Sequence, residues 1–329
     1  MRRREVISML GVVAATWPLG AAAQPRNRIA RIGYLAPNRA TASRNHEAFV
    51  QGLRDLGHVE GQTFVFETRD AQGQFERLPA LAAELVALNV DVIFAPPTVA
   101  ARAAQQATRT LPIVFATSGD PISSGLVASL ARPGGNLTGL SFLGPELVGK
   151  RLQLLKQAVP GVGKVAVLWE PGALGERTER AMLAEADVAA RLHAVRLHVV
   201  EARSPSDIDK AMADTAASGA GALTVLPSAM FNSERRRLVD LAARSRLPTI
   251  YPWREFVDAG GLLSYGANFA DLYRRSASYV DRIIKGAKPS DLAVQQPTQF
   301  EMVLNMKTAK TLGLTISPLV LAQADEVIE

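Results

Sequence analysis

The sequence predicts an α/β protein: two doubly wound, parallel-sheet (Rossmann-like) lobes joined by a multi-crossing hinge. Three observations carry that expectation. Short, nearly continuous apolar runs such as 90–95 alternate with amphipathic segments such as 75–88, the β-α repetition of a parallel sheet covered on both faces. The apolar runs end abruptly in small polar or proline residues, as the strand tips of an open sheet do. The alternation also runs twice, with no low-complexity linker between the series. A chain of 329 residues, 48% of them apolar, can hold one large or two medium domains.

The first series opens with a strand over 29–35 that ends at Ala36-Pro37-Asn38. A helix over 44–56 follows, with Phe49, Leu53 and Leu56 at helical spacing and Gly57 as its stop. Residues 63–67 alternate as a strand, and 75–88 read as a helix with Leu78, Leu81, Leu85 and Leu88 on one stripe. The strand over 90–95 runs into Pro96-Pro97-Thr98 and a helix over 99–108. The stretch 111–142 is the pivot: a buried strand over 113–116, a polar tip at Thr117-Ser118-Gly119-Asp120, a short helix, a turn over 132–136, and a second strand over 137–142 containing Ser141. It reads as the end of the first lobe and the first crossing into the second.

The second series places helices over 146–159, 176–192, 205–218 and 231–245. Its strands cover 165–169, 195–200, 222–226 and 248–251, three of them ending at Glu170-Pro171, Pro227-Ser228 and Pro252-Trp253. A third section departs from the pattern. It has a short strand over 262–265 ending at Gly266-Ala267-Asn268, an amphipathic helix over 269–284, an extended run over 299–304 and a helical tail. The expected organisation is a signal peptide over 1–23, a first lobe over 29–142 rejoined by 267–288, a second lobe over 143–266 rejoined by 289–305, and the tail over 306–329.

The N-terminus reads as a secretory signal peptide: Arg2-Arg3-Arg4, an apolar stretch over 6–19, then Ala21-Ala22-Ala23 before a cleavage site. Arg3-Arg4-Glu5-Val6-Ile7 also fits a twin-arginine signal. Periplasmic export is therefore expected. Of the +6 net charge, residues 1–23 supply three basic and one acidic residue, leaving 34 against 30, or +4, spread along the rest. Arg235-Arg236-Arg237 sits on a helix beside Glu234 with no aromatic platform, so it reads as a solvated face and no nucleic-acid partner is expected.

Catalytic signatures are missing. There is no GxxxxGK[ST] cradle, and the first strand ends in Gly33-Tyr34-Leu35-Ala36-Pro37, not in a GxGxxG turn. No G-x-S-x-G elbow stands at a strand tip, and the chain has no cysteine. The four histidines have no metal-ligand spacing with a third donor. Neither a catalytic residue, a cofactor nor a metal is expected.

What remains is a ring of strand tips. The first lobe offers Tyr34, Pro37, Pro97, Thr98, Thr117, Ser118, Asp120 and the crossing Ser141. The second offers Glu170, Ser228, Tyr251, Tyr265 and Asn268. Hydroxyls and free amides at helix N-termini suit a carboxylate, acidic groups suit an ammonium, and aromatics clamp an apolar or cationic part. The same residue types cap helices without any ligand, so each tip stands between cap and contact. Taken together across two lobes, the tips favour a ligand cleft.

Three segments are similar to a known family. Asp120-Pro121-Ile122-Ser123-Ser124-Gly125-Leu126-Val127 with Arg132-Pro133-Gly134-Gly135-Asn136-Leu137-Thr138-Gly139 resembles the ABC-transporter substrate-binding family that includes the tryptophan-binding protein TrpX. Gly260-Gly261-Leu262-Leu263-Ser264-Tyr265-Gly266 with 284–292 resembles its late hinge, and Asn305-Met306-Lys307-Thr308-Ala309 with 324–329 resembles its tail. The resemblance implies a type I periplasmic binding fold that closes on a small polar ligand, an amino acid or related carboxylate or amine. It also implies delivery of that ligand, by a monomer, to an inner-membrane ABC permease with a cytoplasmic ATPase. Two positions depart from the family's habit: Pro96-Pro97 stands where a small hydroxyl or glycine is frequent, and Glu170 where an asparagine is. Two other functions fit the same sequence, a sensor presenting ligand occupancy to a membrane receptor and an exported α/β enzyme.

Overall fold

The computed structural model describes residues 29–329, so the expected signal peptide lies outside the described residues. The first sheet contains β1 (Ala30–Ala36), β2 (Phe64–Asp70), β3 (Val92–Phe94), β4 (Ile113–Ser118) and β5 (Leu137–Ser141), all parallel, in the order β2-β1-β3-β4-β5. Helices α1 (Ser43–Asp55), α2 (Leu78–Ala87) and α3 (Thr98–Ala107) supply its crossovers. Their apolar stripes face the sheet: Phe49 of α1 stacks on Phe94 of β3 with ring centroids 3.9 Å apart.

The second sheet has seven strands in the order β12-β11-β10-β9-β8-β6-β7. They are β6 (Lys164–Trp169), β7 (Arg196–Glu201), β8 (Ala222–Val225), β9 (Thr249–Tyr251), β10 (Leu263–Ala267), β11 (Phe300–Asn305) and β12 (Glu326–Ile328). Around them run α4 (Val148–Ala158), α5 (Glu176–Leu192), α6 (Ile208–Ala217), α7 (Ala229–Ser233), α8 (Arg235–Arg244) and α9 (Arg254–Asp258). The one antiparallel pairing is β10 with β11, because β11 enters this sheet from the other lobe rather than through a local crossover helix.

The chain passes between the lobes three times. After β5 it enters α4 on the second lobe. After β10 it returns in α10 (Phe269–Ile284), which packs against α1 and β4 of the first lobe. The segment after α10 then lies along β5: Thr138 Oγ1 donates to the Leu292 carbonyl at 2.6 Å, and Leu140 bridges Gln295. The return to the first lobe therefore extends to Gln295, past the expected limit at 288, before the chain leaves for β11.

Three further local differences have plain causes. No helix follows Asp120; residues 121–125 form turns, in which Pro121, Ser123-Ser124 and Gly125 at φ +73° favour turns over a helix. The helix expected over 231–245 is two, α7 and α8, broken at Glu234. The tail is not wholly helical: after α11 (Met306–Thr311) and α12 (Pro318–Leu321) it ends in β12, paired with β11. Two glycines lie where no side chain fits. A Cβ on Gly139 would meet the Phe115 carbonyl oxygen at 1.8 Å, and one on Gly266 the Pro252 oxygen at 2.0 Å. Both sit on strands that lead into interlobe crossings.

Candidate functional site

The carboxyl ends of β1, β3 and β4 face those of β6, β8 and β9 across a cavity. Six of the thirteen expected residues line it: Tyr34, Pro37, Pro97, Thr98, Thr117 and Ser228.

On the first-lobe side, Thr98 opens α3 after the extended Pro97, and no side chain caps this helix. The N–H groups of Val99 and Ala100, in its first turn, are free of intrahelical partners, and Thr98 and Val99 line the cavity. On the second-lobe side, Ser228 is the N-cap of the short α7, accepting from the Phe231 N–H at 3.0 Å. The loop after β6 adds Ala173 and Leu174. Glu179 fixes that loop, accepting from the N–H groups of Gly172, Leu174 and Gly175 at 2.9, 2.9 and 3.1 Å.

Aromatic rings close the remaining walls. Trp253 lies 4.7 Å from Phe269 and meets Phe142 at right angles at 5.8 Å. Tyr273 meets Phe94 at right angles at 5.7 Å, and Tyr34 stacks on His46 at 4.8 Å. Burial raises the phenols of Tyr34 and Tyr273, so both stay protonated, and it lowers His46 to about 4, helped by the charge of Arg39.

No residue lining the cavity carries a formal charge. Two carboxylates stand one hydrogen bond behind it. Glu170 accepts from the Ser228 hydroxyl; burial raises its pKa to about 7 although that bond opposes the shift, and Glu179 adds to the rise. Glu255 of α9 accepts from Asn45 Nδ2 of α1 at 2.9 Å, a buried contact from one lobe to the other. Arg44 and Asp258 make a second, more exposed interlobe pair at 3.6 Å. Among the described residues there is no group of three metal-binding side chains and no helix long and apolar enough to cross a membrane.

The other expected residues lie elsewhere. Ser118 is fully buried and accepts from Thr98 Oγ1 at 3.3 Å, and Ser141 donates to the Gly119 carbonyl. Asp120 Oδ1 accepts from the N–H groups of Ile122 and Ser123, both at 3.0 Å, so it shapes a turn. Glu170 is behind Ser228. Tyr251 stacks on Phe256 at 4.8 Å inside the second lobe, whereas Trp253, past the end of β9 at the N-cap of α9, lines the cavity. Tyr265 stacks on Phe300, and its carbonyl accepts from Arg151 Nε at 2.7 Å. Asn268 caps α10 through the Asp271 N–H and donates to Glu301.

The sequence reading misses Asn38, Asn45, Phe142, Asn232, Trp253, Phe269 and Tyr273, all of which line the cavity. Phe142 and Trp253 follow recognised strand tips, so the signal for them was present. Asn45 and Tyr273 sit within helices, in the first turn of α1 and the second of α10, where only the packing of those helices at the hinge brings them in.

The chain is similar to several characterised proteins. It is 24% identical over 269 residues to the tyrosine-binding protein of Clostridioides difficile (strain R20291), covering 82% of this chain and 76% of that one. A conserved domain protein from Vibrio cholerae O1 biovar El Tor superposes with a TM-score of 0.84 at 28% identity, over 91% of this chain and all of that one. An ABC domain from Streptococcus pneumoniae in complex with L-Trp gives a TM-score of 0.84 at 26% identity, again over 91% of this chain and all of the other. These neighbours share the two-lobed, type I periplasmic binding architecture expected from the resemblance. The family model for ABC transporter substrate binding proteins matches residues 40–328, nearly all of the described chain, and the protein belongs to that family.

Proposed function

We propose that this protein captures a small amino acid, with an aromatic side chain favoured, between its lobes and releases it to an ABC importer. One observation carries the reading: the interlobe cavity joins an aromatic wall to polar groups of both lobes without a single charged lining residue. A zwitterion suits such a cavity. Its carboxylate would meet the open N–H groups in the first turn of α3, and its side chain would pack among Trp253, Phe142 and Tyr273. The relatives described as binding tyrosine and L-Trp support the same class.

Contacts from both lobes, including Asn45 with Glu255, favour the closed form by differential affinity. The family is extracytoplasmic. The N-terminal export signal, the permease with its cytoplasmic ATPase, a monomeric working state and the absence of catalysis complete the proposal. Calorimetry of purified mature protein with the twenty amino acids, and with sugars and polyols as controls, tests it. Micromolar binding of an aromatic amino acid is the expected result; binding of none of the amino acids would end this reading.

A further inference from the structure

Ser228 has a single hydroxyl proton, and that proton goes to Glu170 Oε2. One of its two lone pairs takes the Phe231 N–H at 3.0 Å. The lone pair that remains is all Ser228 has to offer the cavity it lines, so this part of the wall accepts hydrogen bonds and cannot donate them. The same wall holds Asn232, whose side-chain oxygen is shielded from solvent and has no partner within the protein. Glu170 itself pairs with no lysine or arginine among the described residues, and the charge that acts on it is another carboxylate, Glu179. Buried acceptors and a half-buried carboxylate without a cation are costly unless something cationic meets them. The opposite wall is different in kind: the first turn of α3 has no capping side chain and offers N–H donors.

We infer that the Glu170–Ser228–Asn232 side of the cavity is an ammonium subsite, which orients the ligand amine-first toward the second lobe and excludes ligands that carry a carboxylate without an amine. Glu170 is a positioning residue here. It fixes the direction of the Ser228 hydroxyl and supplies the negative field, while Ser228 makes the contact. The choice of probes rests on the amino-acid reading, but the subsite requires only an amine.

The test compares three ligands of one shape: L-tryptophan, tryptamine, which lacks the carboxylate, and indole-3-propionate, which lacks the amine. The L-tyrosine series is run beside it. Affinities are measured by calorimetry on wild type, Glu170→Gln and Ser228→Ala at pH 8, with thermal melts to establish folding. The wild type should bind amine-bearing ligands at least about tenfold more tightly than the amine-free acid, the worth of one charge-assisted hydrogen bond. That preference should shrink to about threefold or less in both variants. Being a ratio within one protein, it is insensitive to a general loss of stability. Binding of tryptamine or tyramine without the amino acids would sink the amino-acid reading and keep the subsite. Amino-acid binding with an undiminished preference in Glu170→Gln would overturn the subsite and keep the reading. Equal or tighter binding of the amine-free acid by the wild type overturns the subsite, as does failure of every amine to bind.

Discussion

Replacing Glu170 by glutamine in the ligand-free protein should change how stability depends on pH, and the sign follows from the site. Burial behind Ser228 raises the carboxyl from 4.5 to about 7. Between those values the folded chain holds a proton that the unfolded chain releases. Stability from this group is therefore fully present below pH 4.5 and is lost as pH rises through 7. That rise corresponds to about 3 kcal/mol, which solvent at this partly exposed side chain reduces to about 2 kcal/mol. His46 works in the opposite direction. Its pKa falls from 6.5 to about 4, so it adds stability as pH climbs through that window. The wild-type profile alone therefore does not isolate either group. The difference between wild type and Glu170→Gln isolates the carboxyl, because His46 cancels. Urea unfolding followed by tryptophan fluorescence, with Trp169 adjacent to the substitution, reads that difference at several pH values. It should decline by about 2 kcal/mol from pH 4.5 to pH 7.5. A constant difference, or one that grows with pH, would refute the placement of Glu170 as a desolvated acid without a cation.

Asp120→Ala should lower stability by about 1 kcal/mol, since two turn N–H groups lose their acceptor, and leave ligand affinity within about twofold; calorimetry beside thermal melts checks both. Gly266→Ala should cost about 3 kcal/mol or prevent folding, because its methyl would lie 2.0 Å from the Pro252 oxygen, and surviving protein should bind ligand poorly as Trp253 moves. An unshifted melting temperature would contradict that packing. Glu255→Ala removes the acceptor for Asn45 across the cleft. It should weaken ligand affinity about tenfold and enlarge the radius of gyration in X-ray scattering of the liganded protein, with little change in the melting temperature of the free one.

Architecture was legible wherever one period dominated. The run over 90–95, apolar but for Asp91, holds the strand β3 because both faces are covered, and helices 176–192 and 269–284 are found at the expected residues. Legibility fell where a residue's task depends on a distant partner. Asp120, Ser141 and Asn268 have the chemistry of ligand contacts, yet neighbouring backbone groups take their hydrogen bonds. Tyr251 and Trp253 share strand parity, but Tyr251 ends β9 while Trp253 lies past Pro252 at the N-cap of α9, so the path of the chain after the strand decides which of them meets the cavity. Asn45 needs α10 and α9 in place before it has any partner, and those elements lie more than 200 residues away.

Three chain segments join the lobes, and they leave from neighbouring positions: the end of β5, the end of β10, and the run from Gln295 into β11. A single tether would let one body swivel, tilt and slide against the other. Three side-by-side tethers, two of them stiffened by strand pairing and by glycines hemmed against carbonyls, suppress most of those freedoms. What survives is close to one coordinate, an opening angle about an axis through the tethers. Whatever touches both lobes from outside then needs only the distance between two surface points to learn whether the cavity is occupied.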